Sequence, residues 1–135
     1  QPVEFNALVD KLQVSFSYDC ILLGLGGGFL DPQASRNVLW SAGFTHFWHP
    51  RQVTPATKWE ARIDELYDRQ VQELDYAKRK ALIDEVQAIL SREVPFIYTV
   101  QKFNYAAIRN GVGNLKPTPM YPFRLTWNLD ELYLE

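Results

Sequence analysis

Between Thr57 and Pro95 the chain carries the pattern that most restricts its fold: two amphipathic helices with start and stop signals in place. Thr57-Lys-Trp-Glu60 has capping-box spacing, in which the Thr hydroxyl accepts from the third amide and the Glu reaches back to the cap. Trp59, Ile63, Leu66 and Val71 continue an apolar stripe to about Glu73. Glu65 and Arg69 stand four apart in the favourable order on the exposed side. Asp75 is placed to cap a second helix, "YAKRKALIDEVQAILSREV", whose apolar face is Leu82, Val86, Ile89 and Leu90. Pro95 ends it, because the residue before a proline is pushed out of the helical region. The link is so short that the two helices form a hairpin. The basic run Lys78 to Lys80 reads as a solvated helix face. The acidic pairs Asp64-Glu65 and Asp84-Glu85 fall on polar faces, as solvation rather than as a general acid and base.

Upstream, Phe5, Leu8, Val9 and Leu12 lie at helical spacing within Val3 to Leu12, with Pro2 tolerated at the start. "YDCILLGL" is a short, mostly apolar run that suits a strand buried on both faces. It empties into four glycines within the five residues Gly24 to Gly28, and helix, strand and glycine-rich loop in that order are α/β material. A short helix is expected from Ser35 to Trp40, and then, over the aromatic stretch "SAGFTHFWHPRQVTP" (41–55), an ordered loop packed by its own aromatics. After Pro95 the period changes: "PFIYTVQ" and "FNYAAIRN" are rich in β-branched and aromatic residues and read as two strands, with Asn110-Gly111 as a turn signal. Three prolines between Pro117 and Pro122 argue against a long regular element in the tail.

A length of 135 residues supports one modest core. Net charge is -2 and the Lys and Arg residues are scattered, so composition does not point to nucleic acid. No apolar run approaches the ~18–20 residues that cross a bilayer. The chain begins at Gln1 inside regular amphipathic sequence, which reads as a segment of a longer polypeptide. Its single cysteine, Cys20, excludes an internal disulfide and a cysteine-based zinc site, and is expected to be a small buried hydrophobe.

The glycine cluster invites a nucleotide reading and does not fit one. Counted from Gly24, the dinucleotide fingerprint has its first and third glycines, but its sixth position is Phe29 and Pro32 follows. No Gly-Lys-Ser/Thr of a phosphate loop occurs. His46 and His49 stand three apart, with Asp31 as a conceivable third metal ligand, but Gly43 and Pro50 argue against a helix that would align them. No Ser or Cys has a nucleophile-elbow context. Glycines at a strand end let another surface or a ligand approach bare main chain. Ligands of open α/β sheets sit beyond the carboxyl ends of strands.

The combined pattern resembles the C-terminal part of the family 5 extracellular solute-binding proteins, the dipeptide-, oligopeptide- and nickel-binding receptors of bacterial ABC importers. The resemblance rests on "YDCILLGLGGGFLDP", on the stretch from "WHPRQVTPATKWE" through the hairpin to "VPFIYTVQ", and on "WNLDELYL". It implies an α/β fold: a C-terminal fragment of a type II periplasmic-binding-protein-like two-lobe architecture, with a helix hairpin and a few strands. Residues 1–95 would belong to the C-terminal lobe, and 96–135 would cross the hinge and complete the other lobe. In peptide-binding relatives the loop after this strand carries Gly-Trp and an Asp that pairs with the peptide's α-ammonium. Leu25 and Gly28 occupy those positions here, so the resemblance implies a ligand other than a simple free-amine peptide, or one anchored elsewhere. Asp31 is retained as the acidic residue just before the proline.

The resemblance implies a non-enzymatic, periplasmic or lipid-anchored receptor without cofactor or metal, which would capture a small-molecule or peptide ligand by lobe closure and deliver it to the importer's permease subunits. Its ligand-binding residues would be Gly24, Leu25, Gly26, Gly27, Gly28 and Phe29. The competing expectation is an α/β enzyme with a phosphate-binding glycine loop. A third is that the segment alone forms a non-native dimer through apolar surface.

Overall fold

The computed structural model describes residues 2–24, 31–100, 105, 107–118 and 125–134. Among them the chain is mostly helical, with four α-helices and one two-stranded antiparallel sheet. It divides into two compact units, Gln1–Leu25 with Pro32–Ile97, and Gly26–Asp31 with Tyr98–Glu135.

In the first unit, α1 (Phe5–Asp10) starts on Glu4, whose carboxylate accepts from the amides of Asn6 and Ala7. It runs on as a π-helical turn, Lys11–Ser15, that stops where Phe16 takes a left-handed conformation. Only the end of the expected apolar stripe is covered: Leu12 is buried, Leu8 and Val9 are half-buried, and Phe5 is exposed. A 3-10 turn over Pro32–Ser35 leads into α2 (Arg36–Leu39), where the sequence places a short helix.

The hairpin forms as its local signals dictate. α3 (Lys58–Gln70) begins at a complete capping box, with Thr57 accepting from the Glu60 amide and Glu60 accepting from the Thr57 amide. α4 (Tyr76–Glu93) begins at Asp75, which accepts from the Lys78 amide. Ile63, Leu66 and Tyr67 of α3 pack with Val86 and Ile89 of α4 and Leu39 of α2 to make the core, and Trp48, Trp59, Leu82, Leu90 and Phe96 close its margin. Val71 lies past the helix and is exposed, so the stripe ends earlier than its spacing suggests. α4 stops with Val94 in a left-handed conformation, φ 49°, one residue before Pro95.

In the second unit, Gly111 (φ 89°) turns the chain into β1 (Val112–Gly113), which pairs with β2 (Tyr133–Leu134) in the register Val112 with Leu134 and Gly113 with Tyr133. A side chain at Gly113 would strike the Tyr133 ring. Asn128, buried, donates to the Asn114 carbonyl, and Lys116 pairs with Glu131 at 2.6 Å.

Expectations for two stretches are corrected here. The run 18–24 forms no strand, Cys20 is exposed rather than buried, and Leu22 is 82% exposed. Residues 96–100 and the described part of 103–110 form no strands either; the ladder lies beyond the Asn110-Gly111 turn and pairs with the tail. A strand is stable only against a neighbour that takes its N–H and C=O groups, and local propensity does not supply one. Of the expected fold class, the described residues show the coarser part: a mostly helical small domain with one two-stranded antiparallel sheet.

Candidate functional site

Of the glycine-loop residues, Gly24 lies among the described residues; Leu25, Gly26, Gly27, Gly28 and Phe29 lie outside them. Gly24 is exposed and its φ is not positive. A Cβ built there meets nothing within 4 Å. Neither backbone conformation nor close approach therefore demands glycine at this position.

The most elaborate chemistry lies instead where the aromatic loop meets the start of α3. Glu60 is 2% exposed. Its Oε2 accepts from the Ala56 amide at 3.0 Å, the Thr57 amide at 2.8 Å and the Thr57 hydroxyl at 2.9 Å. Its Oε1 accepts from the Trp48 indole N–H at 3.0 Å. Burial drives its pKa up, but the donors from Trp48 and Thr57, helped by the nearby Gln52 side chain, prevail and hold it at about 2. The carboxylate is thus a fixed anion around which the loop is wound.

His46 is buried beside it. Its Nδ1 donates to the Val38 carbonyl at 3.1 Å, which leaves Nε2 facing Glu60 Oε1 at 3.6 Å, just beyond hydrogen-bond length. Its ring lies on Trp48, centroids 3.7 Å apart, and Phe96 meets Trp48 edge-on. Burial lowers the His46 pKa, against the pull of the Val38 carbonyl, Glu60 and Asp64. The two histidines do not act together: His46 points into this cluster, and no group of three His, Cys, Asp or Glu side chains among the described residues converges to hold a metal.

Two acidic and basic features read as solvation have structural partners. Asp64, half-buried, accepts from the Ser41 amide at 2.8 Å, and burial raises its pKa. Arg79 donates to Oε1 of the fully buried Gln70 at 2.9 Å, while Gln70 donates to Gln33 at 2.6 Å, tying the start of α4 to the turn before α2. Asp84 and Glu85 are held by Lys80 and Arg62 respectively.

Two concavities flank this core. A cleft of about 430 Å³ runs between α3 and α4 past Trp59 and Ile89, and its Arg62–Glu85 and Arg92–Glu93 pairs close upon each other. A second hollow of about 360 Å³ lies between the π-helical turn Lys11–Ser15 and the aromatic loop, bounded by Leu12, Phe16, Phe44, Phe47 and Gln52. Only the capping-box spacing of Glu60 was visible in the sequence. The donors that make it a hub come from Trp48 and Ala56, which no local pattern connects to it.

No family model matches the chain, and comparison with curated proteins and with solved structures likewise finds no match.

Proposed function

We propose that this chain is part of the ligand-capturing subunit of a bacterial ABC importer of the family 5 solute-binding type, as the C-terminal portion of its two-lobe, type II periplasmic-binding-protein-like fold. In this reading it acts outside the cytoplasmic membrane, free or lipid-anchored, binds a small solute or peptide without chemical conversion, and presents it to the permease subunits. The glycine-rich loop from Gly24 through Leu25, Gly26, Gly27 and Gly28 to Phe29 offers main-chain amides and two apolar side chains to the solute. Ligand bridging the two lobes stabilises the closed form by its differential affinity for that form.

One observation carries the reading beyond the sequence resemblance. Apart from the well-packed hairpin, the segments that the resemblance assigns to sheets carry exposed apolar side chains: Leu22 at 82% exposure, Ile97 at 82% and Val100 at 91%. Strands whose sheet partners belong to another part of a larger fold have this appearance. No helix among the described residues is long and apolar enough to cross a membrane.

The test is solution scattering and calorimetry on the longer polypeptide that contains this sequence. A solute that binds and shrinks the radius of gyration is the expected result. Because Gly28 replaces the amine-pairing Asp, unmodified di- and tripeptides should bind no better than their N-acetylated forms. Thermal stabilisation by nucleotides, rising with their concentration, and no response to solutes would replace this reading with the phosphate-loop enzyme.

A further inference from the structure

We infer that Asn110 is a site of spontaneous covalent modification: its side chain cyclises onto the Gly111 nitrogen, releases ammonia, and leaves an aspartate or isoaspartate in the turn before β1. This goes beyond the importer reading and does not depend on it. The pair stands out in the sequence, since no other Asn or Asp of the chain precedes a glycine. Glycine matters at this place because it has no Cβ, so the nitrogen of residue 111 is open to approach by the Asn110 side chain.

The structure leaves this pair open. Asn110 is exposed, residues 107–109 before it are exposed and in no helix or strand, and Gly111 turns at φ 89°. Among the described residues no hydrogen bond engages the Asn110 side chain or the Gly111 N–H, and the ladder with β2 begins only at Val112. The other described asparagines are held. Asn6 and Asn37 lie within α1 and α2, ahead of Ala7 and Val38. The Asn114 side chain donates to Glu131. Asn128, 2% exposed, donates to the Asn114 carbonyl, and the Leu129 amide that follows it donates to the Thr126 carbonyl.

Water is the only co-reactant. The Gly111 nitrogen gives up its proton and attacks Cγ of Asn110, the Cγ–Nδ2 bond breaks, and the amide nitrogen leaves as ammonia with that proton. A five-membered succinimide closes, favoured because both reacting atoms belong to one short stretch of chain. Water then adds to either ring carbonyl. Breaking the bond from Cγ to the Gly111 nitrogen gives aspartate. Breaking the bond from the residue-110 main-chain carbonyl carbon to that nitrogen gives isoaspartate, with the main chain running through Cβ and Cγ and one carbon longer. On the far side of the turn the chain is fixed by Asn128 on the Asn114 carbonyl and by Lys116 on Glu131. Residues 107–109 are therefore the ones that take up the extra length, and the reaction does not have to break the β1–β2 pair.

The experiment follows the 135-residue protein by peptide mapping and mass spectrometry during incubation at mildly alkaline and at mildly acidic pH, beside a synthetic peptide AAIRNGVG. An isoaspartate-specific carboxyl methyltransferase reads the rearranged product. Asn110 should convert at least about tenfold faster than any other asparagine and within about tenfold of the peptide's rate. Conversion should be faster at alkaline pH, where the Gly111 N–H is more readily deprotonated. Both aspartate and isoaspartate should form. Asn110→Gln, which would have to close a six-membered ring, should abolish the methyl acceptor without shifting the melting temperature. An intact Asn110 when the peptide has converted, earlier conversion at another asparagine, or aspartate formed without isoaspartate would each overturn the assignment. The site-by-site comparison on the unsubstituted protein decides the matter even if the variant does not fold.

Discussion

Glu60 shows how much one residue can organise. A carboxylate that accepts four hydrogen bonds at 2% exposure is replaceable only by another acceptor of the same shape. Glu60→Gln puts an amide N–H against the donors of Trp48 or Thr57 and should lower the unfolding free energy by about 2–4 kcal/mol in urea titration. The same carboxylate sets a pH dependence. Its folded pKa of about 2 lies below its ordinary 4.5, so its stabilisation is complete above 4.5 and drains away as pH falls toward 2. The shift corresponds to about 3 kcal/mol in all. His46 adds to this from the neutral side. Burial holds its pKa below 6.5, so the unfolded chain takes up the proton first and stability starts to fall as pH drops through 6.5. Asp64, raised by burial, works in the opposite direction and is relieved by acid. Urea midpoints measured from pH 7 to 3 should therefore decline throughout; His46→Gln should flatten the part just under 6.5, and Glu60→Gln the part below 4.5. A midpoint that rises on acidification would show that Asp64 dominates.

At the scale of elements, the hairpin is held by a few fully covered side chains. Ile63 and Leu66 are both 0% exposed, and truncating either to Ala should cost about 2–5 kcal/mol, read from chemical unfolding. The end of α4 is less well matched to its backbone. Val94 is β-branched and sits at φ 49°, where glycine is the usual occupant. Val94→Gly should raise stability by up to about 1 kcal/mol, the relief of left-handed strain exceeding the added chain entropy. The hairpin was legible in the sequence because its signals act within a few residues: a cap at Thr57, a cap at Asp75, a stop at Pro95. The segments 18–24 and 96–100 were not, because β-branched and aromatic content says that a residue suits a pleated surface, and not that a neighbouring strand exists. The sheet that does form could not be read either. It joins residues on either side of the proline-rich tail, Val112 with Leu134, a pairing that no local pattern encodes. Within the hairpin, Val71 falls one residue past the end of α3 and Arg79 bonds the buried Gln70, neither of which the spacing alone reveals.

At the scale of the whole molecule, well-covered helices contrast with exposed apolar side chains. The helical core is complete among α2, α3, α4 and the aromatic loop. The glycine cluster was legible as an unusual stretch, and Gly24, its one described residue, shows no local need for glycine. Leu22, Ile97 and Val100 leave apolar surface that a larger fold would cover. In the receptor reading that larger fold is the rest of the two lobes. Amide hydrogen exchange, measured in parallel on this chain and on the longer polypeptide containing it, tests that claim most directly. The account predicts strong protection of α3 and α4 in both samples, with 18–24 and 96–100 exchanging freely in the chain alone and becoming protected in the longer protein. Protection of those two segments in the chain by itself, or free exchange there in both samples, would contradict it.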